Sequence, residues 1–359
     1  MPRRNPHGAL ALFVLVTGCA SPAEDDQTAT SAGSTSAASS SSATSTGAGG
    51  AAERPSDLVD FLTGEDADAR VTPLGPGLVL MGGGADVDAA FAWWKPRIAG
   101  GDVVVLRASG ADGYNDYLFS DIGGADSVET MLVTTRALAD APYVADRIAN
   151  AEGIFIAGGD QAAYVETWKG TALEDAIRAA YGRGAIVGGT SAGCDVLSSI
   201  VYSALNGTVY STEALADPYN PYMTFEPDFL GLAPTTPLVI DTHFHERDRM
   251  GRLVGFMART WTDGLVADIR GIGIDEATAL VVDAQGHGEV VGAGHVYVVD
   301  AAAPPDTCVS GQALEWSGLE RRRLSPGDTV DLPLGGASAA PTPLATTNGQ
   351  MVPADPYGP

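Results

Sequence analysis

The stretch from Ala185 to Gly193 constrains the fold of this chain more than any other. It is typical of a short buried strand, an abrupt glycine turn and a helix that starts at Ser191. Gly189-Thr-Ser-Ala-Gly193 fits G-x-S-x-G, the nucleophile elbow, in which a serine on a strained strand-to-helix turn projects its hydroxyl above a sheet. An ordinary glycine-rich turn with an N-capping serine fits the same five residues. The pentapeptide alone therefore leaves catalysis and structure as alternatives.

Strand–turn–helix units also recur before this stretch. Their strands are continuous apolar runs, which are typical of a parallel sheet covered on both faces. The sequence therefore predicts an α/β fold with a doubly wound, mostly parallel sheet and helices on both faces, followed by C-terminal antiparallel strands. Helices are expected over Arg136 to Asn150 and from about Glu246 to Thr260. The predicted strands cover residues 77–81, 102–107, 128–134, 153–157, 185–189, 238–241 and 271–274, with the antiparallel set at 279–283, 289–291 and 295–299.

Three glycine-rich turns end predicted strands, at Gly82–Gly84, Gly158–Gln161 and Gly188–Gly193. Ligands of such sheets bind beyond the carboxyl ends of the strands, so these turns should line one crevice. A dinucleotide site at the first turn is disfavoured, because no G-x-G-x-x-G is complete there. The long segment 202–231 is rich in Pro, Tyr and Asn and is expected to form a lid or a wall of the site.

The N-terminal residues predict export. Arg3 and Arg4 precede an apolar core at 9–16, and Val16-Thr-Gly-Cys19 resembles the lipobox of bacterial lipoproteins. We therefore expect a lipoprotein-type signal peptide over residues 1–19, lipidation of Cys19, and a protein that is lipid-anchored at the cell envelope or extracellular. Ordinary signal cleavage near Ala20 is the alternative. If Cys19 is lipidated, we expect the membrane to be a partner only through this lipid.

Composition divides the remaining chain into three parts. Residues 20–53 are almost wholly Ser, Thr, Ala and Gly and predict a disordered tether. Residues 54–300 carry the predicted catalytic domain, and residues 301–359 form a C-terminal extension packed on it or trailing from it. The formal net charge of −25 makes nucleic acid an unexpected partner and suits an exported protein or a cationic substrate. Cys194 and Cys308 are expected as separate core residues, and no cofactor or metal is expected.

A serine nucleophile needs a base, and the base needs an orienting carboxylate. His243 and His245 follow the predicted strand 238–241, on the same rim as Ser191, and the two-residue period of a strand could put both on one face. The residues alone therefore leave the base open between them. Asp275 and Glu276 follow the next strand. The resulting order of Ser, His and acid differs from that of the α/β-hydrolases.

Four motifs together resemble the cyanophycinase family over about residues 78–299. The motifs are Gly158-Gly-Asp-Gln161, Gly188–Gly193, Asp241-Thr-His-Phe-x-x-Arg-x-Arg-x-x-Arg252 and Gly273-Ile-Asp-Glu276. This family of serine peptidases has a class I glutamine-amidotransferase-like fold and also includes aspartyl dipeptidases. The resemblance implies Ser191 as nucleophile, His243 as base and Glu276 as acid. Its implied substrate contacts are Gln161, Asp241, Thr242, Arg247, Arg249 and Arg252.

The expected oxyanion hole consists of the Ala192 N–H and one N–H of the Gly159–Asp160 turn, with Asp160 as the candidate. Arg249 and Arg252 are expected to lie one helical turn apart and to present two forks to substrate oxygens. Thr242 departs from the family, which usually has Gln at this position. His245 and Glu246 add a titrating group and a charge beside the base.

The resemblance implies hydrolysis of cyanophycin, a cationic polymer with an aspartate backbone and arginine on each β-carboxyl, to β-Asp-Arg dipeptides through an acyl-enzyme. An exopeptidase for Asp-containing peptides is the nearest alternative. A metal-dependent hydrolase using His243-x-His245 and an inactive binder of cationic polymer are the others. A homodimer is implied by the family alone.

Overall fold

The computed structural model describes residues 52–358. The predicted signal peptide, Cys19 and nearly all of the predicted tether lie outside this range. Among the described helices, none is long and apolar enough to cross a membrane.

The described chain alternates strands and helices up to residue 274 and is almost entirely strand and loop after it. A π-helical turn covers Tyr117–Ile122. The helices are α1 Asp88–Trp94, α2 Arg136–Ala139, α3 Pro142–Asn150, α4 Gln161–Trp168, α5 Ala172–Arg183, α6 Ala192–Asp195, α7 Ser211–Ala216 and α8 Met250–Thr262. The strands are β1 Val59–Gly64, β2 Gly77–Met81, β3 Asp102–Arg107, β4 Ser127–Leu132, β5 Gly153–Ile156, β6 Ile186–Thr190, β7 Ile200–Tyr202, β8 Phe225–Pro227, β9 Leu238–Asp241, β10 Arg270–Ile274, β11 Thr278–Val282, β12 His287–Gly292, β13 Val296–Ala301, β14 Trp316–Leu324, β15 Thr329–Asp331, β16 Thr342–Thr347 and β17 Gln350–Val352.

The main sheet has nine strands in the order β1-β4-β3-β5-β6-β2-β11-β12-β15. Its five central strands, β4 to β2 in that order, are all parallel, and antiparallel strands flank them on both sides. Along β2, Leu78 and Leu80 enter the core shared with α3, α4 and α5, whereas Val79 and Met81 enter the core shared with α1. The predicted α/β sheet with helices on both faces is therefore confirmed, because alternate residues of one apolar strand fill two cores.

A second sheet of six strands, β17-β16-β14-β13-β10-β9, packs against α7 and α8. Only β9 and β10 are parallel in it. This arrangement differs from the sequence prediction, in which both strands continued the rim of the main sheet. An apolar strand is buried on both faces in either sheet, so its local pattern does not select its partners.

Two helices differ from their predicted bounds. The helix expected over 136–150 is divided into α2 and α3, because Pro142 forces the preceding Ala141 into an extended conformation. Helix α8 begins at Met250 rather than near Glu246, since His243 and Asp248 both have positive φ and hold residues 243–249 in a turn.

Segment 202–231 forms a packed wall with secondary structure of its own rather than an irregular lid. Helix α7 lies within it, and Ala214 and Leu215 are buried in the core that α8 shares. Trp316, Leu344 and Tyr357 of the C-terminal extension enter the same core. Cys194 and Cys308 are both buried and free among the described residues.

Candidate active site

Ser191 lies at the abrupt junction of β6 and α6. Its backbone is strained, with φ 53° and ψ −127°, a conformation that non-glycine residues rarely adopt. Gly193 crosses β5 so closely that a Cβ would lie 2.1 Å from the carbonyl oxygen of Ile156. Only glycine allows this turn, which lifts the serine hydroxyl out of the sheet.

The three glycine-rich turns lie next to one another, as the sequence predicted. They follow β5, β6 and β2, which are adjacent in the parallel sheet. A Cβ on Gly158 would contact the Cβ of Ser191 at 3.5 Å, so the turn after β5 lies directly beside the serine. The crevice at the carboxyl ends of the strands is thus centred on Ser191.

The second sheet meets this crevice at Gly82 and Gly83. The His243 N–H donates to the Gly82 carbonyl at 2.7 Å, and the Ala277 N–H donates to the Gly83 carbonyl at 2.9 Å. A side chain on Gly83, where φ is +90°, would place Cβ 2.4 Å from Cε1 of His243. The loops after β9 and β10 therefore reach Ser191 because the turn after β2 is bare backbone.

Ser191, His243 and Glu276 form one hydrogen-bonded chain. Ser191 Oγ lies 2.7 Å from His243 Nε2, and His243 Nδ1 lies 2.5 Å from Glu276 Oε1. His243 is 7% exposed, whereas His245 is exposed and its ring lies against Tyr357. This geometry brings the three residues together as the resemblance implies and separates His243 from His245.

The protonation of His243 suits a general base. Burial lowers the pKa of His243, the hydrogen bond that its Nδ1–H donates to Glu276 raises it, and the nearby Arg247 guanidinium lowers it further. The imidazole is therefore neutral at neutral pH and can accept the proton of the serine hydroxyl.

The two expected oxyanion donors lie at helix starts beside Ser191. Ala192 is the first residue of α6, and Asp160 caps α4 through its side chain. Within residues 52–358, the N–H groups of Ala192 and Asp160 donate to no protein acceptor. Both are therefore available to a developing oxyanion. Gln161, half-buried in the first turn of α4, has a side-chain amide that is likewise unbonded within this range.

Arg247, Arg249 and Arg252 line one cavity of about 160 Å³, and residues 208–211 at the start of α7 form its opposite wall. Arg247 is exposed, and Arg249 is half-buried with its Nη1 donating to the Thr242 carbonyl at 2.7 Å. The three arginines predicted from the sequence thus line one cavity. The sequence predicted a lid or a wall over segment 202–231, but it did not indicate that residues 208–211 would line this cavity.

Three expected substrate contacts need correction. Asp241 is 1% exposed, and Thr242 is fully buried. Arg252 is 2% exposed and donates to both oxygens of Asp241, at 2.6 and 2.7 Å. Its fork is therefore occupied by Asp241, while Asp241 and the Thr242 carbonyl also accept hydrogen bonds from Nη1 of Arg249. The predicted pair of free forks is not present, because both guanidinium groups are hydrogen-bonded within the protein.

Asp195 is a further buried acid that the sequence analysis did not single out. It lies four residues after Ser191, and burial, followed by the repulsion of Asp241, raises its pKa to about 7. Arg249 and Arg252 act in the opposite direction. Its Oδ1 has no hydrogen-bond partner in the described part of the chain. The sequence signal that could have identified Asp195 is its position one helical turn after Ser191, on a helix that was predicted to be buried.

A group of metal-ligating side chains lies beside the site. The ligand atoms of His245, Glu246 and Asp275 all lie within 4.8 Å of one another. The Asp275 carboxylate already accepts the N–H groups of His245 and His295, at 3.0 Å each. His243 is not a member of this group, so the arrangement does not reproduce the His243-x-His245 ligand pair considered from the sequence.

Comparison with known proteins finds that part of this chain is similar to one family of peptidases. The profile of Peptidase family S51 matches residues 117–288, which include Ser191, His243 and Glu276. This part of the chain is therefore similar to the S51 peptidases. A curated cyanophycinase from Synechococcus elongatus is 31% identical over 227 residues, covering 61% of this chain and 64% of the relative. One from Trichormus variabilis is 31% identical over 178 residues, covering 49% of this chain and 54% of the relative.

The chain therefore spans between about half and two thirds of the length of these cyanophycinases. Among solved structures, a peptidase from an acI-B1 actinobacterium is 21% identical, with a TM-score of 0.49 over 72% of this chain and 98% of the other.

Proposed function

We propose that this chain is a serine-type peptidase in which Ser191, His243 and Glu276 are the catalytic residues. The hydrogen-bonded chain from Ser191 Oγ through His243 to Glu276 carries this proposal. His243 takes the serine proton as Oγ bonds to the substrate carbonyl carbon, and the oxyanion is received by the N–H groups of Ala192 and Asp160. His243 then gives the proton to the leaving amine as the C–N bond breaks. Water, deprotonated by His243, hydrolyses the acyl-enzyme and frees Ser191.

Cyanophycin is the proposed substrate, with β-Asp-Arg dipeptides as products. The names of the curated relatives and the four motifs support this choice. The formal charge of −25 suits a polymer that carries guanidinium groups. The arginine-lined cavity suits a free carboxylate of the same substrate, which the α-carboxylate of each arginine residue supplies.

An exopeptidase for Asp-containing peptides is the second candidate. The observation behind it is that the arginine-lined cavity, about 160 Å³, has room for one carboxylate group, which a short Asp-containing peptide supplies as well as cyanophycin does. Both candidates use the same catalytic residues, so they differ only in what occupies the crevice outside the cavity.

We further propose that the protein is exported and anchored through a lipid on Cys19. The basic residues, the apolar core and the lipobox-like Val16-Thr-Gly-Cys19 support this proposal. A polymer is too large to import, so degradation outside the cytoplasm is consistent with such an address. Metabolic labelling with a radioactive fatty acid tests it, because Cys19→Ser should remove the label.

The decisive experiment incubates the full chain with insoluble cyanophycin and measures the release of β-Asp-Arg. Wild type should release the dipeptide with and without EDTA, whereas Ser191→Ala and His243→Ala should release none. His245→Ala is the matched control and should keep most of the activity, since its ring contacts neither Ser191 nor Glu276 in the described structure.

Other outcomes are equally informative. Equal losses in His243→Ala and His245→Ala would refute the assigned base. Activity that disappears with EDTA and survives in Ser191→Ala would replace the serine mechanism by a metal-dependent one. Cleavage of Asp-Xaa dipeptides but not of the polymer would select the exopeptidase.

A further inference from the structure

Tyr357 packs against the loop that carries His243. Its ring lies against Phe244, Tyr297 and His245, with centroid distances of 6.0, 5.6 and 4.9 Å. Its hydroxyl accepts the Met250 N–H at 2.8 Å and donates to Asp248 Oδ1 at 3.1 Å. One side chain therefore contacts both ends of residues 244–250.

The loop between these contacts is strained. His243 has φ 45° and Asp248 has φ 48°. Such a conformation is unfavourable for a non-glycine residue and persists only where the surrounding structure holds it. Ser211 supplies one such restraint by donating its hydroxyl to the Asp248 carbonyl. Tyr357 supplies another, because it satisfies the first N–H of α8 and the Asp248 carboxylate together.

Through Phe244, the ring of Tyr357 is also connected to the strand that leads to Glu276. Phe244 lies between Tyr357 and β10, where a Cβ on Gly273 would come within 2.4 Å of the Phe244 ring. The Phe244 ring thus packs directly on the backbone of β10 at Gly273, three residues before Glu276. The Phe244 ring therefore holds the loop that carries His243 against the strand that leads to Glu276.

Tyr357 is itself fixed by β14. Arg321, 3% exposed, donates to the Pro356 carbonyl at 2.6 Å, and Arg323 donates to the Tyr357 carbonyl at 3.2 Å. The Tyr357 N–H donates to Asp355 Oδ1 at 3.0 Å. Burial, and more weakly Asp248, raise the pKa of Tyr357, so its hydroxyl remains a donor at every working pH.

We propose that Tyr357 is a positioning residue, which holds the 243–250 loop so that His243 faces Ser191 and Arg249 lines the arginine cavity. This proposal rests on the proposed function for its kinetic consequences. The hydroxyl lies nearest to Asp248 and Met250, so it mainly positions Arg249. The ring lies nearest to Phe244 and His245, so it mainly positions His243.

The test compares three full-length variants. Tyr357→Phe removes only the hydroxyl, Tyr357→Ala removes the hydroxyl and the ring, and Tyr219→Phe is the matched control. The Tyr219 hydroxyl donates to Asp263 at 2.9 Å, at the other end of α8, which is about 20 Å from Met250 at 1.5 Å per residue. Tyr357→Phe should raise KM for cyanophycin about tenfold, as expected when removal of the hydroxyl breaks its buried hydrogen bond from the Met250 N–H and its partly buried hydrogen bond to Asp248. Tyr357→Ala should also slow labelling of Ser191 by a fluorophosphonate by about tenfold or more.

Amide hydrogen exchange of residues 243–250 gives a readout that is independent of activity. It should be faster in both Tyr357 variants and unchanged in Tyr219→Phe, with all proteins folded at the assay temperature. If Tyr357→Phe matches Tyr219→Phe in exchange and in KM, the positioning role is refuted. If wild type neither reacts with the fluorophosphonate nor cleaves cyanophycin, the proposed function fails, and the exchange rates still decide the role of Tyr357.

Discussion

Replacing Asp241 by asparagine should destabilise the protein, because it removes the charge that pairs with a buried arginine. Asp241 is 1% exposed and accepts two hydrogen bonds from Arg252, which is 2% exposed, and a third from Arg249 at 3.2 Å. Burial disfavours the charged form of both guanidinium groups, and the Asp241 carboxylate favours it. The pKa of Arg249 is lowered by burial, whereas Asp241 keeps the pKa of Arg252 raised despite burial, so both charges depend on this carboxylate. Asparagine keeps the volume of the side chain and loses the charge.

Removing one partner of a buried ion pair typically costs about 3–5 kcal/mol, because the other charge remains desolvated. A second acid reduces this cost here. Asp195 has its pKa raised to about 7, and Asp241 is one of the causes. Without Asp241, Asp195 ionises more readily and can replace part of the lost attraction. We therefore expect a loss of about 3 kcal/mol, at the lower end of that range.

Thermal unfolding at pH 7 and one scan rate measures this loss. A change of 3 kcal/mol corresponds to a fall in Tm of roughly 5 °C for a folded body the size of residues 52–358, at about 2.1 cal/mol/K of unfolding entropy per residue. Asp263→Asn is the matched control, since Asp263 pairs with Arg259 at 2.8 Å but is 30% exposed. It should cost about 0–1 kcal/mol. If Asp241→Asn unfolds within 2 °C of wild type while Arg249-dependent cleavage is lost, Asp241 contacts the substrate and its assignment as a buried support is wrong.

Three further predictions concern protons and space. Asp195 has a folded-state pKa of about 7 against 3.8 unfolded, so wild type loses stability as pH rises from about 4 to 7. Asp195→Asn should therefore gain stability over wild type in urea at pH 8 and not at pH 4; an equal difference at both would refute this. The acid limb of kcat/KM should lie below pH 6.5, because burial lowers the pKa of His243. In Glu276→Gln it should lie at a still lower pH, because this variant loses a hydrogen bond that raises the pKa of His243. An acid limb at or above pH 6.5 would contradict the assignment of His243 as the base. Gly83→Ala should abolish turnover, since its Cβ would lie 2.4 Å from His243, whereas Gly182→Ala, with open space around Cβ, should retain it.

Several features of the fold and site could be predicted from local sequence. Continuous apolar runs predicted the strands from β2 to β6, because both faces of a parallel sheet are buried, and glycine-rich turns follow β2, β5 and β6. The glycines around Ser191 predicted a strained turn, since backbone that approaches within 2.1 Å of a Cβ position excludes every other residue. The family motifs implied Ser191, His243 and Glu276 as the catalytic residues, and the structure brings these three side chains together.

The tertiary structure decided what depends on distant partners. It assigned β9 and β10 to a second sheet, although their apolar pattern fits either sheet. It separated His243 from His245, because only a fixed backbone places one ring 2.7 Å from Ser191. It also buried Arg252 on Asp241, where the sequence predicted a free fork. Local sequence encodes periodicity and turn geometry, whereas the exposure and pKa of a charged group depend on neighbours that only the folded chain brings together.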